Sequence, residues 1–301
     1  MLTRAFGPDG TAVSVLGLGC ARVGSFNNPA PWLEVRRTLE FALEAGITLL
    51  DTADVYGQGD SERAVGRLLE GRRGAAFVVS KVGKTFSTRM RLLRPLKPLL
   101  RPLARRFAPV RGGVTARREA SMSHDFSPGY IARALDRSLA RLRFDALDAL
   151  LLHSPPAAAL ADPAVGEVLR DLRARGKIAH FGVSCDDAPC LAAALALPGL
   201  TLLELPLDLI DSPEGARAAP IIAARRIGVL AREVIRLSPG ADPADAVRAA
   251  ARRPSVTCVV AGTGSRPHLA ALVRAVEGAP PGDRTPRTGD AGAHEPAARA
   301  V

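Results

Sequence analysis

Aromatic residues are scarce in this 301-residue chain: one Trp, two Tyr and nine Phe. Their scarcity makes Tyr56 conspicuous, because it stands in a polar loop rather than inside an apolar run. Cysteine is scarcer still. Cys20, Cys185, Cys190 and Cys258 are too few for a disulfide scaffold and lack paired metal-ligand spacing, so they read as buried or idle thiols and no metal is expected. No run of 18 apolar residues occurs, which argues against a membrane-spanning helix. The first ten residues have neither the apolar stretch nor the cleavage pattern of a signal peptide, so a cytoplasmic location is the expectation. Acidic residues are missing from one stretch: Lys84 to Arg118 holds eleven Lys and Arg and no Asp or Glu, which equals the whole formal net charge of +11.

Strand-like and helix-like segments alternate from end to end, the pattern of one α/β domain of the barrel type. Thr3–Phe6 and Thr11–Val15, joined by a Gly-Pro-Asp-Gly turn, predict an N-terminal β-hairpin that plugs the barrel floor. Strands are expected near Leu16–Gly19, Thr48–Asp51, Phe77–Lys81, Asp148–His153, His180–Ser184, Leu202–Leu205, Gly228–Ala231 and Thr257–Ala261. Helices are expected near Trp32–Ala45, Ser61–Leu69, Pro128–Leu142, Pro163–Arg175, Ala188–Leu197, Glu214–Arg226, Pro243–Arg252 and Pro267–Val276, several opened by Ser-Pro or Asp-Pro. The expected fold is therefore a (β/α)8 TIM barrel over residues 1–278, with a basic insertion (84–124) after the third strand. Residues 279–301, rich in Pro, Gly, Ala and charge, read as a disordered tail.

Polar residues cluster where these strands end. The second strand stops at Asp51, followed by a short loop carrying Tyr56 and the capped start of a helix at Ser61. The third stops at Lys81 and the fourth at His153. Singly, such an Asp is usually a turn residue, such a Lys solvated and such a His a satisfied core residue. In a closed parallel barrel all downstream strand ends open on one face, so the four converge and together read as a catalytic constellation.

The motifs V-S-V-L-G-L-G (Val13–Gly19), D-T-A-D-V-Y-G (Asp51–Gly57), V-V-S-K-V-G (Val78–Gly83), L-L-L-H-S-P (Leu150–Pro155), G-K-I-A-H-F-G-V-S (Gly176–Ser184) and V-V-A-G-T-G-S (Val259–Ser265) resemble, in order, those of the aldo-keto reductases. The resemblance runs from about Thr3 to Val276. It implies an NAD(P)H-dependent oxidoreductase that reduces an aldehyde or ketone, or oxidises the corresponding alcohol or sugar, with Asp51, Tyr56, Lys81 and His153 as the catalytic tetrad. In that scheme Tyr56 gives a proton to the carbonyl oxygen, Lys81 eases the phenol's loss of it, Asp51 holds Lys81, and His153 orients the carbonyl.

Gly262, Thr263, Gly264 and Ser265 form a glycine-rich turn into a helix N-terminus, a place for phosphate, and Arg266 suits a 2′-phosphate, so NADP is favoured over NAD. Ser184 resembles the serine that helps hold the nicotinamide amide, and Arg232, after the seventh strand, faces the mouth as a candidate contact for the pyrophosphate. The departures are Cys185 for Asn, Glu204 for the nicotinamide-gripping Gln, Leu207 for the stacking aromatic, and His268 and Leu272 at the adenine positions; the stretch Glu233–Asp242 is also short. They support an alternative: a catalytically impaired relative that binds nucleotide or a partner.

The expected partner is a small-molecule carbonyl substrate, with Trp32, Phe26 and Phe86 as candidate pocket walls. For residues 84–118 three readings stay open: a lid attracting anions, a weak contact with an anionic membrane or acidic partner, or a solvated insertion. Nucleic acid is not expected, because aromatic residues for stacking are nearly absent from the segment.

Overall fold

A computed structural model describes residues 1–23, 32–86 and 122–278. Phe26, the side chain of Phe86, the body of the basic insertion and the expected C-terminal tail lie outside the described residues.

The chain opens with the antiparallel pair β1 (Thr3–Phe6) and β2 (Thr11–Ser14). Eight parallel strands then close into a barrel: β3 (Leu16–Gly19), β4 (Leu49–Asp51), β5 (Phe77–Val82), β8 (Leu147–His153), β9 (Ile178–Ser184), β10 (Leu202–Pro206), β11 (Gly228–Arg232) and β12 (Cys258–Ala261), with β12 pairing back onto β3. Between β5 and β8 stands a second antiparallel pair, β6 (Lys84–Phe86) with β7 (Met122–His124), at the base of the basic insertion.

Around the barrel lie α1 (Trp32–Glu44), α2 (Asp60–Leu68), α3 (Pro128–Leu142), α4 (Ala157–Leu160), α5 (Pro163–Ala174), α6 (Ala188–Leu195), α7 (Leu207–Ile210), α8 (Pro213–Ala224), α9 (Pro243–Ala251) and α10 (Arg266–Glu277). Proline fixes the starts of α5, α6, α8 and α9, where a preceding Asp or Ser caps a free backbone N–H. No described helix is long and apolar enough to cross a membrane.

Period-2 alternation along each strand splits the core in two. Leu16, Leu18, Leu50, Val78, Leu150, Leu152, Phe181 and Val183 join the layer between strands and helices. Leu49, Val79, Ala149, Leu151, Leu202, Leu230, Cys258 and Val260 fill the interior, together with Phe6. The hairpin does plug the floor. Gly228 leaves the room: a Cβ there would lie 2.8 Å from the Phe6 ring. That ring meets Phe77 edge-on, with centroids 5.7 Å apart, and lies 5.1 Å from the His180 ring. The apolar plug closes one end, so the polar strand termini are gathered at the other.

One local expectation fails. Helix α2 starts at Asp60 behind Gly59, which is left-handed (φ 86°), and has no side-chain cap. The Ser61 hydroxyl lies 2.7 Å from Thr52 Oγ1 and donates to the Cys20 carbonyl at 2.9 Å, tying the helix start to two strand ends.

Candidate active site

The loop after β4 is stitched onto its neighbour. Thr52 N–H donates to the Val79 carbonyl at 2.8 Å and Asp54 N–H to the Lys81 carbonyl at 3.1 Å. Tyr56 follows in a single 3-10 turn whose reversal uses Gly57 (φ 59°) and Gly59, so the phenol is delivered beside Lys81. The ammonium of Lys81 is wholly buried. It donates to Asp51 Oδ1, to Tyr56 Oη at 3.3 Å and to the Thr52 carbonyl at 3.4 Å. The His153 ring meets the Tyr56 ring edge-on, 5.8 Å between centroids. Four residues from three strand ends and one loop thus share one rim, with Tyr56 half-buried while Asp51, Lys81 and His153 are buried.

A second carboxylate enters the cluster. Glu204 Oε2 lies 3.1 Å from Lys81 Nζ, paired by charge but not aligned as a hydrogen bond, and Glu204 Oε1 lies 3.8 Å from Arg232 Nε. Arg232 in turn donates to Asp186, to Glu233 at 2.8 Å and to the Cys185 carbonyl at 3.0 Å. The result is a relay, Asp51–Lys81–Glu204–Arg232, with Asp186 and Glu233 at its outer end. Sequence reasoning singled out Glu204 and Arg232 only as cofactor contacts and missed Asp186 and Glu233. Their signal was present in the charges immediately beside Cys185 and Arg232.

Burial and these charges set the titrations. Burial, reinforced by Glu204, pushes Asp51 up to about 7 although Lys81 pulls the other way. Burial alone would lower Lys81, but the carboxylates of Asp51 and Glu204 outweigh it and hold the ammonium above its ordinary value. Tyr56 is under opposed effects. Lys81 does act to ease the proton's loss, yet burial is the larger effect, with Asp51 and Glu204 added, and the phenol is raised above its ordinary value. Tyr56 therefore stays protonated at neutral pH, the state a proton donor needs. Burial, with Lys84, Lys81, Arg232 and His124 nearby, pushes His153 well below the usual imidazole range, so its ring is neutral.

At the other side of the mouth, Gly262 to Ser265 run from β12 into α10, where the Ser265 side chain caps the helix by accepting from His268 N–H at 3.5 Å. The Thr38 hydroxyl on α1 donates to the Gly264 carbonyl at 3.3 Å. Arg266 and His268 are exposed, and the Arg266 guanidinium lies 5.0 Å from the Phe41 ring. Ser184 ends β9 beside Glu204, its neighbour in register. Leu272 packs in the helix-facing core and Leu207 is buried at the start of α7. All four cysteines are free and buried, and among the described residues no group of three or more His, Cys, Asp or Glu could hold a metal ion.

A parallel eight-stranded barrel with Asp, Lys, His and a loop Tyr at the carboxyl ends of its strands is of the α/β-barrel enzyme class. The aldo/keto reductase family model matches residues 15–205, and the chain belongs to that family of oxidoreductases. It is 31% identical over 234 residues to D-threo-aldose 1-dehydrogenase of a Pseudomonas species, covering 75% of this chain and 67% of that protein. The matched stretches span 50 to 68% of the lengths of this and three further curated relatives, among them a 6-dehydroglucose reductase and a pyridoxal 4-dehydrogenase. The fold is shared with the holo form of an aldo-keto reductase from Bacillus halodurans (TM-score 0.72, 24% identity, 93% of this chain and 92% of that one). It is also shared with an aldo/keto reductase from Klebsiella pneumoniae in complex with NADP and acetate (TM-score 0.63, 20% identity, 91% and 89%).

Proposed function

We propose that the chain moves a hydride between a nicotinamide dinucleotide and a small carbonyl or alcohol substrate, with Tyr56 as the proton donor in reduction. The observation that carries this reading is the contact of Tyr56 Oη with a wholly buried Lys81 ammonium at 3.3 Å, at a barrel mouth where the phenol is the half-buried member of the cluster.

The residues fit such a cofactor. Arg232 Nε and His153 Nδ1 are buried and lack hydrogen-bond partners, polar atoms that a ligand at the mouth would satisfy. A partly exposed glycine turn leads into a capped helix N-terminus, suited to a phosphate. We assign Ser184 and Glu204 to the nicotinamide end, Arg232 to the pyrophosphate, and Gly262, Thr263, Gly264, Ser265, Arg266 and His268 to the phosphate and adenine end. Arg266 favours NADP over NAD, because an exposed guanidinium can take a 2′-phosphate in bidentate fashion. NADP in the Klebsiella pneumoniae relative agrees with that choice.

Bound there, the dinucleotide supplies or accepts the hydride. The chain does the rest. Tyr56, protonated at neutral pH, gives its proton to the carbonyl oxygen as negative charge gathers on it, and Lys81 then stabilises the phenolate. Asp51 and Glu204 keep Lys81 charged in a place that would otherwise neutralise it. Neutral His153 offers a ring N–H to orient the same oxygen without competing as an acid. The relatives named for an aldose and for 6-dehydroglucose make sugars and their keto forms the first substrates to assay.

A nicotinamide fluorescence titration tests the reading. Micromolar binding of NADPH supports it, and no binding at millimolar cofactor ends it in favour of a catalytically impaired relative, the alternative that buried Leu207 and Leu272 favour. Tyr56→Phe should lower turnover by about 10²-fold or more while leaving cofactor affinity within about twofold; undiminished turnover would remove Tyr56 from its role.

A further inference from the structure

Glu204 is 3% exposed, yet both cations that face it already have other partners. Lys81 is held by Asp51, and Arg232 is held by Asp186 and Glu233. Lys81, Arg232 and Arg236 thus face the four carboxylates Asp51, Glu204, Asp186 and Glu233, and Glu204 is the buried one whose charge no cation meets in a hydrogen bond. That charge lies next to the reacting centre: Glu204 Oε2 is 3.1 Å from Lys81 Nζ, which is 3.3 Å from Tyr56 Oη. Through Lys81 and Tyr56, a carbonyl oxygen bonded to the phenol lies within about 9 Å of this carboxylate, and a hydride donor in reach of that carbonyl within about 14 Å.

A nicotinamide ring is neutral when reduced and cationic when oxidised. Resting on the oxidoreductase reading above, we propose that Glu204 makes the site discriminate between the two redox states of its cofactor, holding the oxidised, cationic ring more tightly than the reduced, neutral one. A glutamine of the same shape would keep the polar contacts and lose the charge. The low dielectric around a buried carboxylate leaves its field less screened than it would be in water. Two consequences follow by linkage. The chain loads oxidised cofactor from a mixed pool, and the bound reduced form is a stronger hydride donor than the free one.

The test is a pair of calorimetric titrations at pH 8, with NADP⁺ and with NADPH, on the intact wild-type chain, Glu204→Gln and Glu204→Asp. The wild type should bind NADP⁺ more tightly than NADPH. Glu204→Gln should shift the ratio of the two dissociation constants by about tenfold toward NADPH, the size expected of one unit charge several ångströms away. Glu204→Asp, which keeps the charge, should retain the wild-type preference. A wild type that prefers NADPH, or a Glu204→Gln variant that weakens both forms equally, overturns the inference while leaving the oxidoreductase reading intact. Failure of the wild type to bind either form overturns that reading and this inference with it. Should Glu204→Gln not fold, by circular dichroism, the wild-type comparison still decides.

Discussion

His153 holds a neutral imidazole under pressure from every side: burial first, then the cations of Lys84, Lys81 and Arg232, and His124. Its folded-state pKa lies below the unfolded value of about 6.5. The stability it contributes is therefore complete above that pH and is lost as pH falls through the folded value, because the unfolded chain takes up a proton that the folded chain refuses. Buried His180, also lowered by burial, acts in the same direction. Denaturant melts at pH 7 and pH 5 should show the wild type losing stability, at up to about 1.4 kcal/mol per pH unit for each such group. His153→Gln should lose measurably less over that interval, and an identical loss would mean that this ring is not held neutral. Tyr56, Lys81, Asp51 and His153 were legible in the sequence because each ends or follows an apolar strand, and a parallel barrel brings such ends together. The pairing of Glu204 with Lys81 was not legible. It depends on how far two distant strands are staggered around the barrel, which no local pattern records.

Helices α2 and α3 approach closely at Gly66, where an added Cβ would lie 2.2 Å from the Leu142 carbonyl oxygen. The obstacle is backbone at the end of α3, just before Arg143 turns left-handed (φ 61°), so it cannot rotate aside as a side chain would. Helix propensity alone favours Gly66→Ala by about 1 kcal/mol, but overpacking of this kind costs roughly 1–3 kcal/mol. We expect net destabilisation in chemical denaturation; a stabilised variant would show that the two helices can separate. At this scale the sequence was informative where apolar periods are long. The expected Phe77–Lys81 strand is observed as Phe77–Val82 and the expected Pro128–Leu142 helix as predicted. The one-turn helices α4 and α7 were missed because four residues cannot display a helical period, although Pro156 and Pro206 mark their starts. The pairing of β6 with β7 was missed as well, since its polar residues carry no alternating apolar signal.

Charge is unevenly distributed over the whole molecule. Eleven basic residues between Lys84 and Arg118 account for the entire formal net charge, so the rest of the chain is electrically balanced. The described ends of this insertion, β6 and β7, leave the barrel directly after β5, the strand that carries Lys81, and rejoin it ahead of α3. The insertion is thus tethered at the open end of the barrel, and a concentrated positive charge there attracts anionic surfaces over about 10 Å at 0.1 M salt and over about 30 Å at 0.01 M. Removing residues 91–106 deletes six of the positive charges and no negative one, lowering the formal net charge from +11 to +5. Sedimentation with vesicles rich in phosphatidylserine should show the full chain bound at low ionic strength and released by 0.5 M salt, with the deletion variant bound several-fold less. Circular dichroism of the two chains checks that the deletion variant is folded. Equal vesicle binding by the two would assign the insertion no surface-seeking role and leave it a solvated segment, whereas salt-insensitive binding would replace Coulombic attraction with insertion of its leucines as the cause.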